Sequence, residues 1–117
     1  MKVIVAGGRD FDNYDYLCET LNNLDFIISE IVCGCASGAD SLGERYAKEN
    51  GISVKYFPAN WGILGKHAGP IRNLEMAQYG DYLVAFWDGK SAGTKNMIDS
   101  MKHFKKHGIV KMYERKK

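Results

Sequence analysis

Five short apolar runs alternate with four one-sided apolar stripes along this chain, and that alternation restricts the fold more than any other feature. The runs are Lys2–Ala6, Ile27–Cys33, Ile52–Phe57, Tyr82–Trp87 and Ile109–Tyr113. They are rich in Val, Ile and aromatics and nearly continuous in apolar character, as strands covered on both faces are. Between them, apolar residues recur at helical spacing: Tyr14, Leu17, Cys18, Leu21 and Leu24; then Ala39, Leu42, Tyr46 and Ala47. A third stripe, Ile71, Leu74 and Ala77, follows Pro70, which suits a first helical turn, and Met97, Ile98, Met101 and Phe104 mark the fourth. Such a string implies parallel strands joined by right-handed crossovers. The expected fold is α/β: a doubly wound, three-layer sandwich with a five-stranded parallel sheet, Rossmann-like. Strand order is not written in the pattern; analogy with other nucleotide-binding sheets gives 3-2-1-4-5.

The length of 117 residues suits one domain, expected over residues 1–113, with a polar tail at 114–117. A formal charge of +2 argues for neither nucleic acid nor a membrane surface, and no run approaches the ~18 apolar residues of a membrane span. Three cysteines and an opening run too short for an export signal fit reduced thiols and a cytoplasmic location. Cys33 and Cys35, at a strand end, are expected on opposite faces, which opposes a bridge or a shared metal. His103 and His107 have helical spacing, but Lys102, Lys105 and Lys106 surround them, so no metal site is expected. A domain this small is compatible with a homo-oligomer.

The 13 glycines separate two roles. Gly51, Gly80 and Gly108 lie between a helix and the next strand, where a left-handed residue ends a helix cheaply. Gly43 falls inside the second helix, where close packing on the sheet is expected. The rest fall in the four segments that follow a strand and precede a helix. In a parallel sheet those segments emerge at the carboxyl edge, where open α/β folds bind ligands. Glycine there admits a ligand to the backbone, and a helix start offers unpaired N–H donors and partial positive charge. Together these make an anion site, most often for phosphate.

Each segment adds polar groups. The first offers Gly7, Gly8 and Arg9, with Arg9 either clamping a phosphate or paired to Asp10 or Asp12. The second, rich in small residues, offers Gly34, Ser37, Gly38, Asp40 and Ser41, with Asp40 placed for the helix dipole or for ribose hydroxyls. The third reads as a long loop from Pro58 to Asn73 carrying Asn60, Trp61, Lys66, His67, Gly69, Arg72 and Asn73. Trp61 there either stacks on a base or anchors the loop in the core. The fourth offers Asp88, Gly89, Ser91, Gly93 and Thr94, with Thr94 capping a helix or donating to a phosphate. It fails the Walker A spacing, since Gly89 to Lys95 reads G-K-S-A-G-T-K.

Four stretches carry a family resemblance: GGRDF, GCASGADSLGERYA, PANWGILGKHAGPIRNLEM and FWDGKSAGTKNMI. Together they resemble the SLOG superfamily, the Rossmann-like group that includes the DprA and LOG proteins, and within it the small stand-alone YspA-like branch. The resemblance implies a nucleotide-related ligand of the ADP-ribose, NAD or signalling-nucleotide type, bound or cleaved. LOG-type members are phosphoribohydrolases using an arginine and a glutamate three residues after a Gly-Thr pair. Arg72 stands where that arginine would be; the glutamate position is Met97, which cannot exchange a proton. The expectation is therefore a sensor or sequestering module that needs no cofactor, its partner a small nucleotide-related molecule rather than nucleic acid. The alternative is a nucleotide-processing hydrolase of N-glycosidase or phosphoribohydrolase type, with Asp40, Glu75 or Asp88 as substitute carboxylate.

Overall fold

The structure, a computed structural model, describes residues 1–114; of the polar tail, Arg115, Lys116 and Lys117 lie outside the described residues. Five strands, β1 (Lys2–Gly7), β2 (Glu30–Cys33), β3 (Ser53–Tyr56), β4 (Tyr82–Trp87) and β5 (His107–Met112), form one sheet in the order β3-β2-β1-β4-β5. Every neighbouring pair is parallel; on the central strand Val3 is level with Ile31 on one side and Tyr82 on the other. The helices are α1 (Tyr14–Asn22), α2 (Ala39–Glu49), α3 (Trp61–Leu64), α4 (Ala68–Tyr79) and α5 (Ala92–His103).

The strand period of two sorts the core into layers. Val3 and Val5 of β1 face Leu17 and Leu21 of α1 and Ala39 and Ala47 of α2. Ile4 and Ala6, one residue out of phase, face Met76 and Ala77 of α4 and Met97 and Met101 of α5. Val3, Ile4 and Val5 are fully buried, each worth roughly 1.5–3 kcal/mol of hydrophobic stabilisation. Gly43 lets α2 lie close on the sheet, since a Cβ there would sit 2.8 Å from Val5 Cβ. No helix among the described residues is long and apolar enough to cross a membrane.

Several expected boundaries move. Ile27 to Ser29 are not strand: Ile27 is 86% exposed, and the segment instead bonds to the N-terminus through Ser29 N–H to Met1 O. The expected loop from Pro58 to Asn73 is largely helical, with α3, a 3₁₀ turn over Gly65–His67 and the start of α4 running end to end. Asn60 starts this run by accepting from Ile63 N–H, an N-cap role where the sequence suggested a ligand contact.

Of the three inter-element glycines, only Gly51 is left-handed, at φ 65°. Gly80 is extended, and its missing Cβ makes room for Ile4; Gly108 lies inside β5 against Leu83. The residue that turns the chain off α5 is Lys105, at φ 56°. Lys105 N–H bonds Lys102 O and Lys106 N–H bonds Met101 O, both at 3.0 Å, the two bonds of a Schellman ending. His103 thus closes α5 while His107 opens β5, so the two histidines do not share a helix. Cys33 is buried and Cys35 exposed, yet strand alternation is not the cause, since residues two apart share a face. β2 ends at Cys33, and Cys35 turns away with φ 64°. Burial pushes the Cys33 thiol up to about 12.

Candidate functional site

The chain leaves β1 toward β2 on one side, and later crosses to β4 on the other. Strand order therefore reverses beside β1, where open α/β sheets have their crevice. A cavity of about 750 Å³ opens there, within the size range of small-ligand sites. Ala6, Met76 and Met97 form its apolar floor. Gly7, Gly8, Arg9 and Asp10 come from the end of β1; Ala36 and Asp40 from the β2–α2 connection; Gly69, Pro70, Arg72 and Asn73 from the first turns of α4. Asp88, Ser91, Ala92, Gly93, Thr94 and Asn96 complete it from the β4–α5 connection and the start of α5.

The β2–α2 loop is tied to itself. Asp40 is buried, and its Oδ2 accepts from Gly34 N–H at 3.1 Å and Ala36 N–H at 3.3 Å. Ser41 Oγ donates to Ala36 O at 3.2 Å. Gly38 has φ 73°, and a Cβ on it would lie 2.6 Å from the Arg9 carbonyl carbon, so the first and second loops touch backbone to backbone. Burial pushes the Asp40 carboxyl above its ordinary value, opposed by the Ala36 amide and the Arg72 guanidinium.

The β4–α5 loop is held differently. Asp88 Oδ1 accepts from the Lys90 and Ser91 amides, both at 2.8 Å, and Trp87 Nε1–H donates to Ser91 O at 3.1 Å. The first helical bond of α5 is Lys95 N–H to Ser91 O at 3.2 Å. The amides of Ala92, Gly93 and Thr94 thus precede the helical ladder, leaving donors at the positive end of a twelve-residue helix. Thr94 is buried in the first turn and its hydroxyl donates to Ser91 Oγ at 3.2 Å; it is not the cap, a position held by Ser91.

Two arginines bring positive charge. Arg72 donates through Nη1 to Gly34 O and through Nε to Asn73 Oδ1, the latter at 3.0 Å. Asn73, also buried, donates to Asn96 Oδ1 at 2.9 Å and to Gly93 O at 3.4 Å, which fastens α4 to α5. Arg9 is exposed, and among the described residues the ion pairs all join helical neighbours four apart, none of them Arg9.

Of the residues singled out in the sequence, the cavity gathers Gly7, Gly8, Arg9, Asp40, Gly69, Arg72, Asn73, Asp88, Ser91, Gly93 and Thr94. The others lie outside its lining. Gly34 sits beneath the Arg72 guanidinium, where a Cβ would meet Cζ at 2.8 Å. Gly38 and Ser41 brace the second loop, Ser37 is exposed beside them, and Gly89, at φ 82°, turns the fourth loop. Asn60 is a cap and Lys66 lies exposed in the 3₁₀ turn. Trp61 is 52% exposed, so it does not anchor a loop in the core; it rests against Gly69 at the rim. Glu75, offered as a substitute carboxylate, is exposed on α4 and outside the cavity. Sequence reasoning missed Ala6, Asp10, Ala36, Pro70, Met76, Ala92 and Asn96 as lining residues. Asn96 stands one helical turn after Gly93, a usable signal; Met76 reads as any core methionine.

No solved structure matches the chain. The Gene 61 protein of Mycobacterium phage D29 is 32% identical over 118 residues, spanning 92% of this chain and 91% of that protein. The profile of the YspA, cpYpsA-related SLOG family, YAcAr, matches residues 1–62, from β1 through both glycine-rich loops of the first half. With that profile over more than half its length and a relative alike along nearly all of it, the chain belongs to the YspA, cpYpsA-related SLOG family.

Proposed function

We propose that this protein binds a small nucleotide-related phosphorylated molecule, of ADP-ribose, NAD or signalling-nucleotide type, in the cavity at the carboxyl ends of the strands, as a sensor or sequestering module. The observation that carries this reading is the meeting of Arg9, Arg72 and the unladdered amides of Ala92–Thr94 around one cavity. Guanidinium groups and a helix start supply the charge-assisted donors a phosphate needs. The apolar floor of Ala6, Met76 and Met97 suits the flat face of a base. Family membership supports a nucleotide-related ligand at the coarser level of binding or processing. The proposed setting is a reducing cytosol, with no cofactor and no nucleic-acid partner.

Binding without cleavage is favoured because Met97, on the cavity floor, offers no proton where LOG-type enzymes carry glutamate. One observation favours the hydrolase reading: Asp40 lines the same cavity, and burial raises its carboxyl above its ordinary value, the direction a general acid requires. Calorimetry against ADP-ribose, NAD and AMP, with product analysis after prolonged incubation, separates the two. Binding with intact ligand is the expected result; silence toward all three at millimolar concentration sinks the proposal, and turnover abolished in Asp40→Asn would establish the hydrolase.

A further inference from the structure

The first loop of the cavity is held by a residue near the far end of the chain. Tyr113 follows β5, and its amide donates to Trp87 O at 3.1 Å, which keeps it level with the end of β4. Its hydroxyl donates to Asp10 Oδ1 at 2.6 Å. Its ring meets Phe11 edge-on, with centroids 4.9 Å apart. A Cβ on Gly8 would fall on the Tyr113 hydroxyl, with Cζ only 3.0 Å away, so Gly8 leaves room for the phenol. Tyr113 therefore touches the loop on both sides of Arg9. The loop's backbone bonds, Gly8 N–H to Phe86 O, Phe11 N–H to Gly8 O and Ala39 N–H to Gly8 O, hold its two ends; Gly38 packs on the Arg9 backbone, but none of these backbone bonds reaches residues 9 and 10.

We propose that Tyr113 is a positioning residue for the ligand site. Its hydroxyl holds Asp10, and through Asp10 it sets where Arg9 presents its guanidinium. Gly8, Arg9 and Asp10 line the cavity, whereas Tyr113 does not. A hydroxyl-to-carboxylate bond is charge-assisted and short, which suits it to fix a loop whose backbone bonds stop at its ends. This role rests on the binding function proposed above.

Tyr113→Phe keeps the ring on Phe11 and removes only the hydroxyl. The test compares wild type, Tyr113→Phe, Asp10→Ala and the double variant, by amide exchange in the ligand-free protein and by calorimetry with ADP-ribose, NAD and AMP. Tyr113→Phe should speed exchange of the Phe11 amide several-fold and weaken the best-bound probe about tenfold, the scale of one hydrogen bond to a charged group. The double variant should be no weaker than Asp10→Ala alone, since the Tyr113–Asp10 bond is already gone in that variant. Gly8→Ala, which displaces the phenol from the other side, should reproduce the loss. Unchanged exchange or unchanged affinity in Tyr113→Phe overturns the positioning role, as do additive losses in the double variant. A wild type that binds none of the three probes overturns the binding function itself, whatever the exchange shows.

Discussion

The β2–α2 and β4–α5 loops look alike in sequence, both small, glycine-rich and carrying an aspartate, yet they use their polar groups in opposite ways. In the first, Asp40 takes the Gly34 and Ala36 amides and Ser41 takes the Ala36 carbonyl, so the loop's hydrogen-bonding capacity is spent on its own shape. In the second, Asp88 takes the Lys90 and Ser91 amides, and the donors of Ala92 to Thr94 stay ahead of the helical ladder. The first of these loops is scaffold; the second, on the proposed reading, is contact. Glycine content alone does not tell these apart, because one job needs tight backbone approach and the other needs an open approach for a guest.

That contrast is most severely strained by Gly38→Ala. Residue 38 is left-handed, and the added Cβ would meet backbone atoms of Arg9 that cannot rotate away. The loss should be about 2–4 kcal/mol, read as a drop of many degrees in melting temperature. Gly93→Ala is the control in the other loop: nothing lies within 4 Å of where its Cβ would sit and its φ is not left-handed, so stability should hardly change. Equal losses in the two would erase the distinction.

Arg72→Ala comes next. It should weaken binding of a phosphorylated probe by at least about tenfold, the order of one charge-assisted contact, measured by calorimetry. Because Arg72 also holds Gly34 O, a smaller loss of melting temperature should accompany it.

The Asp40 carboxyl gives a pH test. Its folded value lies above the ordinary 3.8, so the folded state holds the proton more tightly than the unfolded one. Stability from this group is present below 3.8 and is lost as pH rises through the folded value. Asp40→Asn keeps an acceptor for the two amides without the charge. Its melting temperature relative to wild type should rise as pH climbs from the ordinary carboxylate value, and the gap should close again on acidification. A gap that widens toward low pH would show instead that the ionised carboxylate is the form the fold favours.

The Gly93→Ala control aside, the smallest loss is expected for Ser41→Ala, where an exposed hydroxyl bonds one carbonyl at 3.2 Å. A loss of about 0.5–1 kcal/mol, seen by chemical denaturation, would match a single solvent-accessible bond.

Much of this was legible because it depends on period and placement. The continuous apolar run Val3, Ile4, Val5 and Ala6 predicted a strand covered on both faces, and the glycines after β1 and β4 pointed to the edge where the cavity lies. What escaped depends on contacts between distant parts of the chain. Ile27 and Ile28 are as apolar as strand residues, but pairing goes to Glu30–Cys33, opposite Lys2–Ile4. The stretch Trp61–His67 looked like loop because its glycines and exposed apolar side chains carry no one-sided stripe. Lys105 ends α5 with φ 56°, a role that residue type assigns to glycine. Asp40 showed its position at a helix start but not the two amides it would lock, and nothing in a terminal tyrosine announces Asp10, more than a hundred residues earlier.

The central claim is that segments from both halves of the chain surround one anionic guest. Amide chemical shifts followed during titration with ADP-ribose, NAD and AMP test it most directly. The account predicts that Gly8 and Arg9 move together with Gly93 and Thr94, at one common dissociation constant. Shifts confined to one of these loops, shifts on the opposite edge of the sheet, or none at millimolar ligand would contradict it.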